Sequence, residues 1–397
     1  MVKTPVYMDY HATTPVDQRV VDAMMPYYRE NFGNAASRQH RFGWLAEEAV
    51  NAARETVARA IHAEAREVVF TSGATESNNL AIKGVAEAYG QRGDNIVTCQ
   101  TEHKSVLDVC KNLARHGYTV TLLPVDAHGL IHTDEIRKEL TSKTFLVSIM
   151  LANNEIGTIQ NVAEVASLCK ERDILFHTDA TQAVGKIPVD VQAMGIDLLS
   201  MSGHKFYGPK GTGALYVRSK NPRVRIIAQL DGGGHERGLR SGTLNVPGIV
   251  GLATALDICM KSMSEESERV RRLRNRLEEK IFSSLDDVHL NGHPTQRLPN
   301  NLNVSFPGVE DNALMMSMKD VAVSSGSACS SAEPEPSHVL KALRIGKERE
   351  TSAIRFGLGR WTTEEEVDFV AHRVIETVKN LRALSGVHKH TKPIEIN

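Results

Sequence analysis

Three short polar stretches, each directly behind an apolar run, carry the side chains with the most chemistry to offer. In EVVFTSGATES the run ends at Ser72-Gly73 and a helical pattern starts near Ala74-Thr75. The free N–H groups and dipole of a helix start attract an anion such as phosphate, and the Thr75 hydroxyl adds a donor; the same letters also spell an ordinary helix cap. In ILFHTDATQ the run ends on Asp179, with Gln182 three residues later. A carboxylate there needs a protonated partner or a structural task, which leaves a structural ion pair, a helix cap or the nitrogen of a bound pyridinium ring. In DLLSMSGHKFYGPKG, Ser202, Gly203, His204 and Lys205 follow the third run. A desolvated lysine loses its proton readily and forms an imine with an aldehyde, although a lysine in a Gly-rich loop is more often a solvated surface residue. An anion cradle, an acid for a ring nitrogen and an amine together make the set that pyridoxal 5′-phosphate demands.

The elements that must position these groups alternate in type. Strand-like runs at residues 67–73, 95–99, 118–125, 144–150, 174–180 and 196–202 are separated by helical patterns that include 76–89, 104–115 and 162–172. Such alternation predicts an α/β fold with a mostly parallel sheet covered on both faces and a ligand site at the carboxyl ends of its strands. After the Gly-rich DGGGHERGLRSGT (231–243) comes a long helical run over about 246–285, whose ERVRRLRNRLEEK reads as a solvated face. The strands NLNVSF, VAVSSG and SAIRFGLG then point to a smaller α+β domain. We expect residues 15–260 to form the large domain, and 1–14 with 261–397 the small one.

Composition bounds the rest. With 397 residues, 41% hydrophobic and 24% charged, the chain is globular and long enough for both domains. A formal net charge of −1 excludes a whole-molecule field that recruits nucleic acid or an anionic membrane. Five cysteines, Cys99, Cys110, Cys169, Cys259 and Cys329, are odd in number, far apart and without a CxxC pair, which argues against a disulfide framework or a zinc site. No signal-peptide core, transit-peptide pattern or bilayer-length apolar stretch is evident, so a cytoplasmic protein is expected, or one of the mitochondrial matrix after removal of a presequence. No GxGxxG follows the first strand, which sets a nicotinamide enzyme aside. Four of the cysteines lie among apolar residues and read as small buried hydrophobes. Cys329, in AVSSGSACSSAEPEPSHVL, sits among small flexible residues and suits a nucleophile that must enter a pocket and leave again.

SGATESNNLAIKG, TEHKSVLD, ANNEIG, FHTDATQAVGK, SGHKFYGPKG, GGGHERGLRSGT and SSGSACSS follow one another here as they do in cysteine desulfurases. The chain resembles the housekeeping iron-sulfur-cluster type of that family, within the fold-type I aminotransferase superfamily, from Met8-Asp9 to about Arg382. The resemblance implies a pyridoxal-phosphate homodimer that converts L-cysteine to L-alanine. Sulfur would pass as a persulfide on Cys329 to acceptors such as an iron-sulfur scaffold protein and the tRNA-thiolation machinery. It implies that Lys205 bonds the cofactor aldehyde, Asp179 pairs with the ring nitrogen and Gln182 hydrogen-bonds the ring hydroxyl. Thr75, Ser202 and His204 would hold the phosphate, with Thr243 donating from the second subunit, and Ala74, Gly203 and Asn154 would also contact the cofactor. His103 would stack on the ring and act as an acid/base, while Asn154 and Arg355 would orient the substrate. No metal site is expected beyond a cluster shared transiently between Cys329 and a scaffold. The loop around Cys329 speaks against a transaminase, and the presence of Lys205, Asp179 and Cys329 speaks against a non-catalytic relative. The chain departs from the family pattern at GNAAS (33–37), at Glu333-Pro334 and in its tail, SGVHKHTKPIEIN, which bears on how acceptors dock.

Overall fold

The computed structural model describes residues 2–325 and 336–385. Its strands in chain order are β1 (Val6–Tyr7), β2 (Val68–Thr71), β3 (Asn95–Cys99), β4 (Thr119–Leu123), β5 (Thr144–Ser148), β6 (Leu175–Asp179), β7 (Leu198–Ser202), β8 (Gly213–Val217), β9 (His289–Leu290), β10 (Asn301–Ser305), β11 (Val321–Ala322) and β12 (Ala353–Gly357). Seven of them form one sheet in the order β2-β8-β7-β6-β5-β3-β4, in which β8 runs antiparallel to both neighbours and the other pairs are parallel. Apolar side chains point both ways from the central strands, so the sheet needs cover on both faces. Val147 and Phe176 join one core with the Arg41–Ala60 and Val162–Lys170 helices, while Leu146 and Leu175 join another with the Ala74–Tyr89 and Lys104–Arg115 helices. The expected α/β architecture is therefore the observed one.

A second, three-stranded antiparallel sheet, β12-β10-β9, packs Leu302, Val304, Ile354 and Phe356 into its own core. β1 pairs in parallel with β11 and contributes Val6 to that core. The 39-residue helix Val246–Ser284 belongs to both halves of the molecule. Its first half buries Ile249, Leu252 and Leu256 with the main sheet, and its second half buries Leu273, Leu277 and Ile281 with the small one. The stretch ERVRRLRNRLEEK is therefore not wholly solvated: Val270, Leu273, Arg274 and Leu277 are buried, because three- and four-residue spacing threads an apolar stripe between the arginines. The start of this helix is also long and apolar enough, by length and composition, to cross a membrane, against the expectation that no stretch has that character. Half of that apolar stretch is buried in the protein, with Ile249, Leu252 and Leu256 in the core.

Candidate active site

Strands β2, β3, β5, β6 and β7 all deliver their following residues to the same sheet edge, where a cavity of about 670 Å³ opens. Ala74, Thr75, His103, Asn154, Asp179, Gln182, Ser202, His204, Lys205 and Arg355 line it, bringing together residues that lie up to 281 positions apart in the chain. Gly203 and Thr243 do not line it. The Gly203 amide donates to the Thr212 carbonyl at 3.0 Å, and Thr243 is exposed on the loop before the long helix. Cys329 lies outside the described residues, although Pro336 and Ser337, a few positions later, line the cavity.

The phosphate end is built from β2 and the helix that follows. Gly73, at φ +149°, turns the chain, and the 16-residue helix Ala74–Tyr89 begins with no side chain capping it. Its first amides thus face the cavity as an anion site. A Cβ on Gly73 would meet Ser202 Oγ at 3.6 Å, so that hydroxyl stands across the turn. His204 Nδ1 lies 3.1 Å from Thr13 Oγ1. Burial, and then the charges of Lys205, Lys210 and Lys186, push the His204 ring down to about 4, so it is neutral at physiological pH.

Asp179 is 5% exposed. Its Oδ1 accepts from the Thr181 amide at 2.9 Å and its Oδ2 from Asn78 Nδ2 at 2.8 Å. No cation pairs with it among the described residues, so the buried carboxylate is suited to a cationic ligand. Lys205 Nζ donates to the His11 and Ala12 carbonyls at 2.6 and 2.7 Å. His103 does two things: its Nδ1 accepts from the Ser105 amide at 3.1 Å, capping the Lys104–Arg115 helix, while the residue lines the cavity. Arg355 is held by Asp9 Oδ1 at 2.8 Å and by the Asn154 carbonyl at 2.9 Å, with its Nε buried and without a partner among the described residues. Asn154 Oδ1 and Thr181 Oγ1 are orphaned in the same way. An uncapped helix start, a lysine, a carboxylate without a cation and orphaned polar atoms in one cavity fit pyridoxal 5′-phosphate with an amino-acid substrate.

Several residues in or directly behind the cavity wall escaped the sequence reading. Glu155, 4% exposed, accepts from Ser337 Oγ at 2.5 Å, and burial pushes its carboxyl up to about 7. Asn78 supports Asp179, a role visible in sequence only as a polar residue on the inner face of a helix. His11 lies in MDYHATTP, where no periodic pattern marks it. The other cysteines behave as expected: Cys99, Cys110, Cys169 and Cys259 are buried, and burial raises every one of their thiols, Cys99 and Cys110 to about 12.

The Aminotransferase class-V family model matches residues 6–370. Over 391 residues the chain is 56% identical to cysteine desulfurase IscS of Anaeromyxobacter sp. (strain Fw109-5), spanning 98% of this chain and 96% of that one. Over 381 residues it is 51% identical to cysteine desulfurase IscS of Rickettsia rickettsii (strain Iowa), spanning 96% and 93%. A solved NifS-like protein superposes with a TM-score of 0.88 at 40% identity, covering 94% of this chain and 99% of that one. The chain belongs to the cysteine desulfurases of the class-V aminotransferase family.

Proposed function

We propose that this protein converts L-cysteine to L-alanine, placing the sulfur on the Cys329 thiol as a persulfide and passing it on for iron-sulfur cluster assembly. The observation that carries the residue assignments is the meeting in one cavity of Lys205, an uncapped helix start, Arg355 and a buried Asp179 that no cation pairs with among the described residues. Pyridoxal 5′-phosphate, when bound, supplies an aldehyde for the amines and a ring that takes up the electron pair left on the substrate carbon.

The chain's own residues do the rest. The first amides of the Ala74–Tyr89 helix, with Thr75, Ser202 and His204, hold a phosphate dianion. Asp179, braced by Asn78 and the Thr181 amide, keeps a proton on a ring nitrogen by making the cationic form the better partner. Gln182 reaches a ring hydroxyl. Arg355 is aimed before substrate arrives, since Asp9 and the Asn154 carbonyl fix its plane; it takes the cysteine carboxylate, with Asn154 beside it. Lys205 takes the proton from the substrate α-carbon. His103 removes the proton of the attacking thiol, because thiolate is the nucleophile. The substrate C–S bond breaks as the S–S bond to Cys329 forms, leaving alanine and one persulfide.

Thr243 lies on an exposed loop away from its own cavity, which supports a donor role toward a second subunit. Exposed Phe32, Trp44 and Leu230 offer apolar surface for such a homodimer. The cores on the two faces of the main sheet, and the separate core of the small sheet, support a large domain over 15–260 and a small one from 1–14 and 261–397, joined through the continuous Val246–Ser284 helix. We place the enzyme in the cytoplasm, with a scaffold protein among its acceptors. Borohydride reduction of the cofactor-loaded protein followed by peptide mass mapping tests the site: the adduct is expected on Lys205, and an adduct on Lys186 instead would overturn the assignment.

A further inference from the structure

His11 has no part in the reading so far, yet it lies at the centre of the cavity's hydrogen bonds. The residue is 1% exposed, and its carbonyl accepts both Lys205 Nζ, at 2.6 Å, and Gln182 Nε2, at 3.0 Å. Its ring Nδ1 lies 3.0 Å from Gln182 Oε1, which also accepts from Lys186 Nζ at 3.0 Å. These contacts settle the tautomer. The His11 carbonyl can only accept, so the amide nitrogen of Gln182 must face it, which turns the amide oxygen toward Lys186 Nζ and the ring. Oxygen then also faces Nδ1, so Nδ1 carries the ring proton and Nε2 is a bare acceptor. Nε2 is buried and has no partner among the described residues. Burial holds the ring neutral, helped by the positive charges of Lys186, Arg355 and Lys205 around it. The ring packs close to Gly357, where a Cβ would come within 2.8 Å of its Cδ2.

We propose that His11 is a positioning residue for the reaction: its Nδ1–H and its carbonyl clamp the two ends of the Gln182 amide, and the same carbonyl sets the place of Lys205 Nζ. The inference rests on the reading of this cavity as a pyridoxal-phosphate site. Gln182 and Lys205 come from different strand ends, and one anchor common to both fixes their separation before the cofactor arrives. Preorganisation of that kind appears in cofactor affinity and in the proton affinity of the bound imine.

The test compares His11→Leu, His11→Asn and His11→Gln with the wild type. Each apoenzyme is titrated with pyridoxal 5′-phosphate by visible absorbance, and the pH midpoint of the bound-cofactor band is then recorded. Loss of one hydrogen bond predicts binding about three- to tenfold weaker in His11→Leu, with a displaced midpoint. His11→Asn, whose amide nitrogen can stand where Nδ1 stood, is expected to recover both. Wild-type affinity and midpoint in His11→Leu would overturn the proposal. So would recovery by His11→Gln but not by His11→Asn, which would move the role to the Nε2 edge. A wild-type protein that forms no absorbing imine would bring down the reading of the whole site instead.

Discussion

Replacing Arg54 with Met would strand a carboxylate in the core. Arg54 Nη1 and Nη2 donate to Glu236 Oε2 and Oε1 at 2.7 and 2.6 Å, and the guanidinium lies 4.7 Å over the Phe70 ring. The side chains are only 10% and 0% exposed. Glu236 also accepts from the Phe70 amide at 2.7 Å, tying GGGHERG to β2. This anchor holds Glu236 and Arg237 in the left-handed region, at φ 49° and 58°, on the loop that leads to Thr243. Removing one partner of a buried pair costs about 3–5 kcal/mol, because the other charge stays buried. Adding Glu236→Gln removes that charge while leaving an acceptor for Phe70 N–H, and it should restore about 2 kcal/mol. Urea unfolding at fixed protein concentration, followed by circular dichroism, measures both. A loss under about 1 kcal/mol in Arg54→Met, or a double variant less stable than Arg54→Met alone, would refute the argument.

Arg355→Lys should raise KM for cysteine about tenfold or more while leaving the cofactor absorbance in place, since a fork preset by Asp9 is replaced by a point charge; steady-state kinetics with a spectrum of each sample checks it. Asp17 is held well below the usual carboxylate range, first by its hydrogen bond from Arg19 and then by Arg360. Its folded pKa is the lower one, so its stabilisation is complete above about pH 4 and fades as pH falls further. Asp17→Asn should therefore lower the melting temperature at pH 7, with a gap that narrows in acid; a gap constant from pH 7 to pH 3 would contradict this. Alkylation of the native protein should fall on Cys329 and spare the four buried thiols, and a mass map showing equal labelling of Cys99 or Cys259 would disprove it.

Much of the site was legible because strand ends carry it. An apolar run stopped by Ser-Gly, Asp or Ser-Gly-His-Lys marks both the strand and the residue placed at the sheet edge, and β2, β6 and β7 follow that pattern. β8 did not register, since GALYV follows a Gly-rich loop with no helix before it and returns antiparallel. The Arg41–Ala60 helix was also passed over: apart from Val50, Arg54 and Val57 its buried face is Gly43, Ala46, Ala49, Ala53, Ala58 and Ala60, small residues that mark an apolar stripe weakly. His11 and Asn78 were invisible for a different reason. Their importance lies in partners 171 and 101 residues away, and no local pattern encodes a long-range hydrogen bond.

The central claim is that Lys205 and Cys329 together move one sulfur for each alanine. Incubating the loaded enzyme with less than one equivalent of L-cysteine and no added thiol, then measuring alanine and Cys329 persulfide in the same sample, tests it most directly. Equal amounts are expected in the wild type, with neither product from Lys205→Ala, and with Cys329→Ser keeping its cofactor absorbance but forming no persulfide. Alanine released at the wild-type rate by Cys329→Ser, or persulfide found on another cysteine, would contradict the account.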